Sequence, residues 1–299
     1  MKNMDQDEIV DVINGERFLR SEKVGCYLCG KAYEPRRIPV AYGMQAMVAE
    51  CPVCRLAFQT PRPSPEASLA YMDWRWASND DYVGSREGQM RRARQQVKIV
   101  QRYFKGPIRL LDFGAGSGAF VRAALDTGWN ATGVEQSDSA RVRAKEFYDV
   151  DLLKETRREC YDAVTMWDVI EHLRDPAGTL GLIGEHLTEE GLVFIETGNF
   201  ENWIRLANKD SWGLYLFDHQ FYFSPGSLRE VLRRSGFNGF HLLGCNRAHP
   251  SINPIKLIRD PAHTLRYWWE WAGARLKWPA HGDINIMVVV GKMAGPIRK

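Results

Sequence analysis

Four cysteines fall in two matched pairs, Cys26 and Cys29 in GCYLCGKAY and Cys51 and Cys54 in ECPVCRLAF, with 21 residues between the pairs. Two residues between cysteines let both thiolates turn toward one ion, and two such turns complete a closed tetrahedral site. The doubled spacing predicts a zinc ribbon holding one structural Zn(2+), because four cysteine ligands leave no coordination position for a substrate. Two disulfides would use the same residues but give no reason for the spacing. Cys160 and Cys245 stand alone beside apolar stretches and are expected as buried small residues.

The second chemical feature is LLDFGAGSGAF, Leu110 to Phe120. An apolar run enters a glycine-rich turn, and Gly114, Gly116 and Gly118 would let the backbone approach a ligand closely. GAGSGA also fits the dinucleotide fingerprint, and Glu135, ending the next apolar run, would take ribose hydroxyls in either kind of nucleotide site. Asp112 separates the two. A carboxylate beside the turn would repel a pyrophosphate, whereas S-adenosylmethionine carries an ammonium and a sulfonium and no phosphate.

These residues need elements to hold them. From Gly106 onward apolar runs such as IRLLDFG, WNATGVEQ, YDAVTMWD and GLVFIET alternate with helical patterns, ending in NIMVVVGKM. Such alternation predicts an α/β fold: a Rossmann-like, doubly wound, seven-stranded, mostly parallel sheet with ligands at the carboxyl ends of its strands. A short segment around DVDLL separates the second helix of this alternation from YDAVTMWD. Ahead of it, residues 1–20 read as a tail, 21–62 as the zinc ribbon with strands in RRIPVAY and MQAMVAE, and 63–105 as a helical connector. Ser64-Pro65 opens the connector's first helix as N-cap and first helical residue. Its second helix carries Arg86, Arg91, Arg92, Arg94, Lys98 and Arg102, which read as a solvated basic face.

Residues 106–299 form the second domain, with an insertion at about 246–281. Within the insertion Asp260 caps a helix on which Leu265, Trp268, Trp269, Ala272 and Leu276 share one face. That helix, at 261–278, would pack on the sheet, cover an apolar substrate, join two copies into a homodimer, or lie at a membrane surface. Residues 241–299 hold nine Lys/Arg against three Asp/Glu, a net of +6, so with +3 overall the first 240 residues carry −3. The modest total disfavours a nucleic-acid partner. The acidic N-terminus lacks an apolar core, and four paired cysteines suit a reducing compartment, so the expected location is the cytoplasm, with a peripheral position on the inner membrane face left open.

LLDFGAGSGAF resembles the first motif of class I S-adenosylmethionine-dependent methyltransferases, D-x-G-x-G-x-G. YDAVTMWDVIEHLRDP resembles their fourth-strand segment, and HQFYFSPGSLREVLRRSGF a later segment of the ubiquinone-methyltransferase-like branch. The resemblance covers about residues 106–245 and the last strand. It implies that Asp112, Gly114, Gly116 and Gly118 line the methionine part of the cofactor and that Glu135 binds its ribose. Gln136 and Asp151 would lie toward the adenine, and Trp167 and Asp168 beside cofactor and acceptor. Methyl transfer from a sulfonium is an in-line displacement, and a hydroxyl acceptor must also lose its proton. His219 in DHQFYFS is the first candidate base and His172 in IEHLRDP the second, each with a packing role as its alternative. A ribbon ahead of such a domain is similar to sugar and natural-product methyltransferases, which implies O-methylation of a small molecule: a sugar, a natural product or a quinone or lipid-type acceptor. The rivals are an rRNA or tRNA methyltransferase and a non-catalytic zinc-ribbon interaction protein.

Overall fold

In the computed structural model the described residues are 9–13, 16–40, 44–78, 85–157, 159–245 and 286–293. The N-terminal segment expected as a tail contains two strands, β1 (Ile9–Ile13) and β2 (Glu16–Glu22), paired antiparallel. The cue was legible: Asn14-Gly15 between alternating apolar runs is a strong hairpin signal. Next come β3 (Arg36–Pro39), β4 (Gln45–Cys51), β5 (Leu56–Gln59) and β6 (Arg62–Pro63). The last of these adds to β2, giving the order β1-β2-β6.

Two helices follow, α1 (Pro65–Ser78) and α2 (Arg86–Gln101). Ser64 Oγ accepts from Ala67 N at 3.1 Å, and Ser85 caps α2 by accepting from Gly88 N. On α2, Ala93, Gln96, Val97 and Val100 recur at helical spacing and are buried. They bring the helix onto α3 (Ala119–Asp126), the helix that leaves the glycine turn.

The central sheet is built from β7 (Arg109–Phe113), β8 (Asn130–Val134), β9 (Tyr161–Trp167), β10 (Leu187–Gly198), β12 (Gly239–Cys245) and β13 (Ile286–Lys292), in the order β12-β13-β10-β9-β7-β8. It is mostly parallel, with β13 antiparallel to both neighbours. Leu110 and Leu111 on β7 are both fully buried but belong to different apolar clusters, because successive strand residues face opposite sides. Buried on both faces, β13 is apolar throughout its run MVVV. Further helices are α4 (Asp138–Tyr148), α5 (Pro176–Glu185), α6 (Trp203–Asn208) and α7 (Pro225–Arg234).

Among the described residues this sheet has six strands, against the seven expected. The DVDLL segment contributes a single bridge, Leu153 to Val134, at the β8 edge. Its apolar stretch is too short, and Asp151 before it is drawn out to Lys145. The strands around the cysteine pairs also join a later part of the chain. A two-residue strand after the first histidine candidate, β11 (Phe221–Tyr222), pairs antiparallel with β5. It completes a four-stranded sheet, β11-β5-β4-β3. Among the described residues no helix is long and apolar enough to cross a membrane. The insertion at 246–281, with its helix at 261–278, lies outside the described residues.

Candidate active site

The glycine turn joins β7 to α3 at the carboxyl end of the sheet. Gly114 (φ 75°) and Gly116 (φ 53°) both adopt left-handed backbone that disfavours a side chain. A Cβ on Gly114 would lie 2.6 Å from Val169, and one on Gly116 would lie 3.0 Å from the Trp76 indole. Gly118, also left-handed, is the N-cap of α3 and supplies no capping side chain. Glu135 braces the turn: its carboxylate accepts from Gly116 N and from Ser137 N, both at 2.9 Å. Burial pushes its pKa up, against those backbone donors. Asp112 is 2% exposed and accepts from Thr165 Oγ1 at 2.7 Å. Desolvation pushes it up to about 7, opposed by the Thr165 bond and assisted by Glu135.

Gln136 is exposed and donates to Lys154 O at 2.9 Å, beside Glu135 in sequence. Asp151 does not join the group: its side chain is 80% exposed and pairs with Lys145 at 2.8 Å. Leu152 and Leu153 pack against the apolar clusters at this point instead. Trp167 packs on Phe120 with ring centroids 5.2 Å apart, and its buried Nε1 finds no hydrogen-bond partner among the described residues. Asp168 directly follows β9 in left-handed backbone and pairs with Arg92 at 2.6 Å.

Sequence reasoning missed the wall that α1 and α2 place on this turn. Trp76 faces Gly116, Asp73 accepts from Ser137 Oγ at 2.5 Å, and Gln89 accepts from Ser117 Oγ at 2.5 Å. Arg92 bridges Asp168 and the buried Glu196. The segment read as a connector is therefore part of the site, and the basic face of α2 is not uniformly solvated. No spacing distinguishes Arg92 from its neighbours; only the partner carboxylates just after β9 and on β10 do.

A polar cluster is built from three elements, beginning two residues after Val169, which packs on Gly114. The turn after β9 carries Glu171 and His172, and the loop before β11 carries Asp218, His219 and Gln220. From α1, Arg75 reaches Asp218 at 3.1 Å, with both side chains under 8% exposed. Burial acts to raise the Asp218 pKa, but Arg75 and then the two histidines hold it down at about 2. His172 Nδ1 lies 3.1 Å from Asp218 O and 3.5 Å from its carboxylate. Two acceptors around Nδ1 favour the tautomer with a proton there, which leaves Nε2 as the basic nitrogen. The His219 ring meets His172 edge to face at 4.8 Å. His219 is buried, and desolvation followed by the His172 charge pushes its pKa down to about 3. Burial pushes Glu171 up to about 7, with Asp168 adding to the rise. Its Oε2, like both polar atoms of the Gln220 amide, finds no partner among the described residues.

Two groups of side chains have the composition of a metal site. Cys26, Cys29, Cys51 and Cys54 place their sulfurs within 4.8 Å of one another, and so do one ligand atom each from Glu171, His172 and His219. The four thiols are free, and Cys29 and Cys51 sulfurs lie 3.8 Å apart, so the donors converge as a four-thiolate ion requires. Cys160 is exposed, contrary to expectation; it directly precedes β9 rather than lying in it. Cys245 closes β12 at the edge of the described residues.

A family described as a methyltransferase domain matches residues 82–242, more than half of the chain. A ubiquinone biosynthesis O-methyltransferase of Nitrosococcus oceani is 29% identical over 176 residues, 51% of this chain and 72% of that relative. One of Aromatoleum aromaticum is 26% identical over 169 residues, 50% of this chain and 70% of its own. A third, from Saccharophagus degradans, is 31% identical over 103 residues, covering 30% of this chain but only 44% of that relative's length. Among solved structures, a putative methyltransferase in complex with the Haloferax volcanii Trm112 activator has a TM-score of 0.55 at 17% identity, covering 75% of this chain and 98% of that one. A SAM-dependent methyltransferase from Archaeoglobus fulgidus has a TM-score of 0.50 at 19% identity, covering 71% and 96%. At these identities the solved structures speak to fold alone. The parallel sheet, the glycine turn braced by an acidic residue from the next strand, and the family match agree: the chain belongs to the methyltransferase-domain family and has the fold of an S-adenosylmethionine-dependent methyltransferase.

Proposed function

We propose that this chain transfers a methyl group from S-adenosylmethionine to a hydroxyl of a small molecule, with His172 taking the hydroxyl proton. The observation that carries the reading is the braced imidazole: Arg75 holds Asp218, Asp218 faces His172 Nδ1, and the ring sits after β9 at the same sheet end as the glycine turn. Asp112, Gly114, Gly116 and Gly118 are assigned to the methionine part of the cofactor. Glu135 uses two of its lone pairs on backbone N–H groups and keeps the others for ribose hydroxyls. Gln136 is assigned to the adenine side, and Trp167 and Asp168 to the junction with the acceptor. The curated relatives make a quinone or phenol the first acceptor to try, before sugars and other natural products. The four cysteines are assigned one structural zinc. Native mass spectrometry with and without S-adenosylhomocysteine tests both assignments; a chain that binds zinc but no S-adenosylhomocysteine refutes the cofactor site and leaves the metal site standing.

A second reading of the acceptor side is favoured by the convergence of Glu171, His172 and His219, together with the partnerless Glu171 Oε2. A divalent cation there would polarise the acceptor hydroxyl in place of a free imidazole. Magnesium-dependent turnover in a chain whose cysteine site is already filled selects this reading over His172 acting alone.

Two expected outcomes test the cofactor side. Gly116→Asn keeps a residue type tolerated in left-handed backbone but sets its side chain against Trp76. S-adenosylhomocysteine affinity should fall about tenfold, about 1.4 kcal/mol, and Trp76→Ala in the same chain should recover part of it. Recovery would not occur if the lost affinity came from backbone strain alone.

The other outcome follows from Asp112. Its pKa near 7 means that the carboxyl carries a proton below that pH, while a bound sulfonium and ammonium favour the charged form. Cofactor binding should therefore release a proton, and affinity should rise by up to about tenfold between pH 6 and pH 8. Calorimetry in buffers of different ionisation enthalpy reads the proton directly, and Asp112→Asn should abolish the pH dependence.

A further inference from the structure

The four-cysteine module is joined to the methyltransferase domain through the pairing of β5 with β11. We infer that the cysteine module sets the position of the acceptor-side histidine loop, and that Gln59 is the positioning residue through which it does so.

The loop from Leu216 to Tyr222 contains Asp218 and His219 and faces His172. It has no partner strand in the central sheet. Instead Phe221 and Tyr222 pair with Phe58 and Ala57 on β5, the strand that starts two residues after Cys54. At the end of β5 the side chain of Gln59 is fully buried. Its amide nitrogen donates to the carbonyls of Leu216, Phe217 and His219, at 2.9 and 3.0 Å for the first two. Its amide oxygen accepts from Arg20, which also lies 4.2 Å over the Phe217 ring. The Gln59 backbone N–H donates to Gln220 O at 3.0 Å, and Gln220 N donates to Glu171 O at 2.7 Å. One residue of the module is thus bonded to both ends of the loop and, through Gln220, to the turn that holds His172.

The other cysteine pair touches the same region. Tyr27, between Cys26 and Cys29, packs edge-on against Phe221 at 5.4 Å. Its hydroxyl donates to Asp175, the N-cap of α5, and accepts from Ala177 N at 3.0 Å. Arg234 on α7 donates to Leu28 O at 2.8 Å. Cys26 and Cys51 themselves belong to the apolar cluster that holds Phe58, Phe221 and Ile170. A metal that fixes both turns therefore fixes both supports of the loop. Removing it would free β5 and Tyr27 together. The glycine turn is braced by Glu135, Gln89 and Trp76, none of them in the module, and should be spared.

The test uses the full chain labelled with 15N-histidine, with the imidazole signals of His172 and His219 assigned by single His→Gln substitutions. This inference rests on the zinc assignment, and S-adenosylhomocysteine binding is measured in the same samples, so that loss of cofactor binding in the unmodified chain counts against the methyltransferase reading and not against the coupling. Gln59→Leu should retain one zinc and bind S-adenosylhomocysteine within about twofold of the unmodified chain, while the His172 and His219 signals move by more than a linewidth. Zinc removal by chelation, followed by return to magnesium buffer, should move the same two signals and leave His186 and His241 in place. Unmoved His172 and His219 signals in folded Gln59→Leu overturn the role of Gln59, and unmoved signals in the stripped chain overturn the role of the metal. If Gln59→Leu does not fold, the stripped chain decides, and collapse of all four signals alike rejects a local coupling.

Discussion

Replacing His172 with glutamine is expected to lower turnover by about 100- to 10,000-fold while S-adenosylhomocysteine affinity changes less than about threefold. The range is that of a lost general base. The selectivity follows from position, since among the described residues the glycine turn is braced by Glu135, Gln89 and Trp76, while His172 stands in the turn after β9. Glutamine can still face Asp218 but has no basic nitrogen. His219 was the stronger candidate from sequence, because its loop was expected on the acceptor side. Burial changes the ranking. A ring with its pKa pushed down to about 3 stays neutral throughout the working range and is a weak proton acceptor. Its edge-to-face contact with His172 suits it to holding that ring. His219→Ala should therefore cost less turnover than His172→Gln. Turnover measured as S-adenosylhomocysteine release would return the base to His219 if His172→Gln stayed near full rate and His219→Ala did not.

What could be read in advance follows a physical division. The glycine turn and the strand–helix alternation were legible because both are local: backbone freedom at fixed offsets and burial of apolar runs on both sheet faces leave marks at short range. The cysteine pairs were legible for the same reason. The Asn14-Gly15 hairpin was equally local and was overlooked. Long-range placement was not legible. Arg75, Trp76, Gln89 and Arg92 sit in a stretch whose composition fits any amphipathic or basic helix, and their meaning comes from Asp218, Gly116, Ser117 and Asp168, which lie 28 residues or more away in the chain. The pairing of β11 with β5 spans some 160 residues and involves a strand of two residues, too short for a periodic signal. Asp151 shows the converse. An acidic residue stands at the right place in the chain order, but its neighbours Leu152 and Leu153 supply the packing and the carboxylate turns to Lys145.

Arg75→Met should cost about 3–5 kcal/mol of stability, the cost of leaving a buried carboxylate without its counterion. Against a total of about 5–15 kcal/mol for an ordinary domain, that is enough to threaten folding at growth temperature. Both partners are buried, so solvent screening that makes surface ion pairs weak does not apply here. The sign of the pH dependence separates this cause from simple loss of packing. With Arg75 present the Asp218 pKa is depressed to about 2. The pair's contribution is then present above the unfolded carboxylate value, near 3.9, and is lost as pH falls toward 2. Without Arg75 desolvation dominates and raises the Asp218 pKa, so the folded variant takes up a proton more readily than the unfolded chain. Its stability should then rise on mild acidification, where that of the unmodified protein does not. Urea denaturation between pH 5 and pH 8 reads the difference. The Arg75→Met, Asp218→Asn double variant should recover much of the stability, because no charge remains buried. It should not recover turnover, since the carboxylate facing His172 is gone. A double variant as unstable as Arg75→Met alone would show that Arg75 acts through its packing on Tyr71 rather than through its charge.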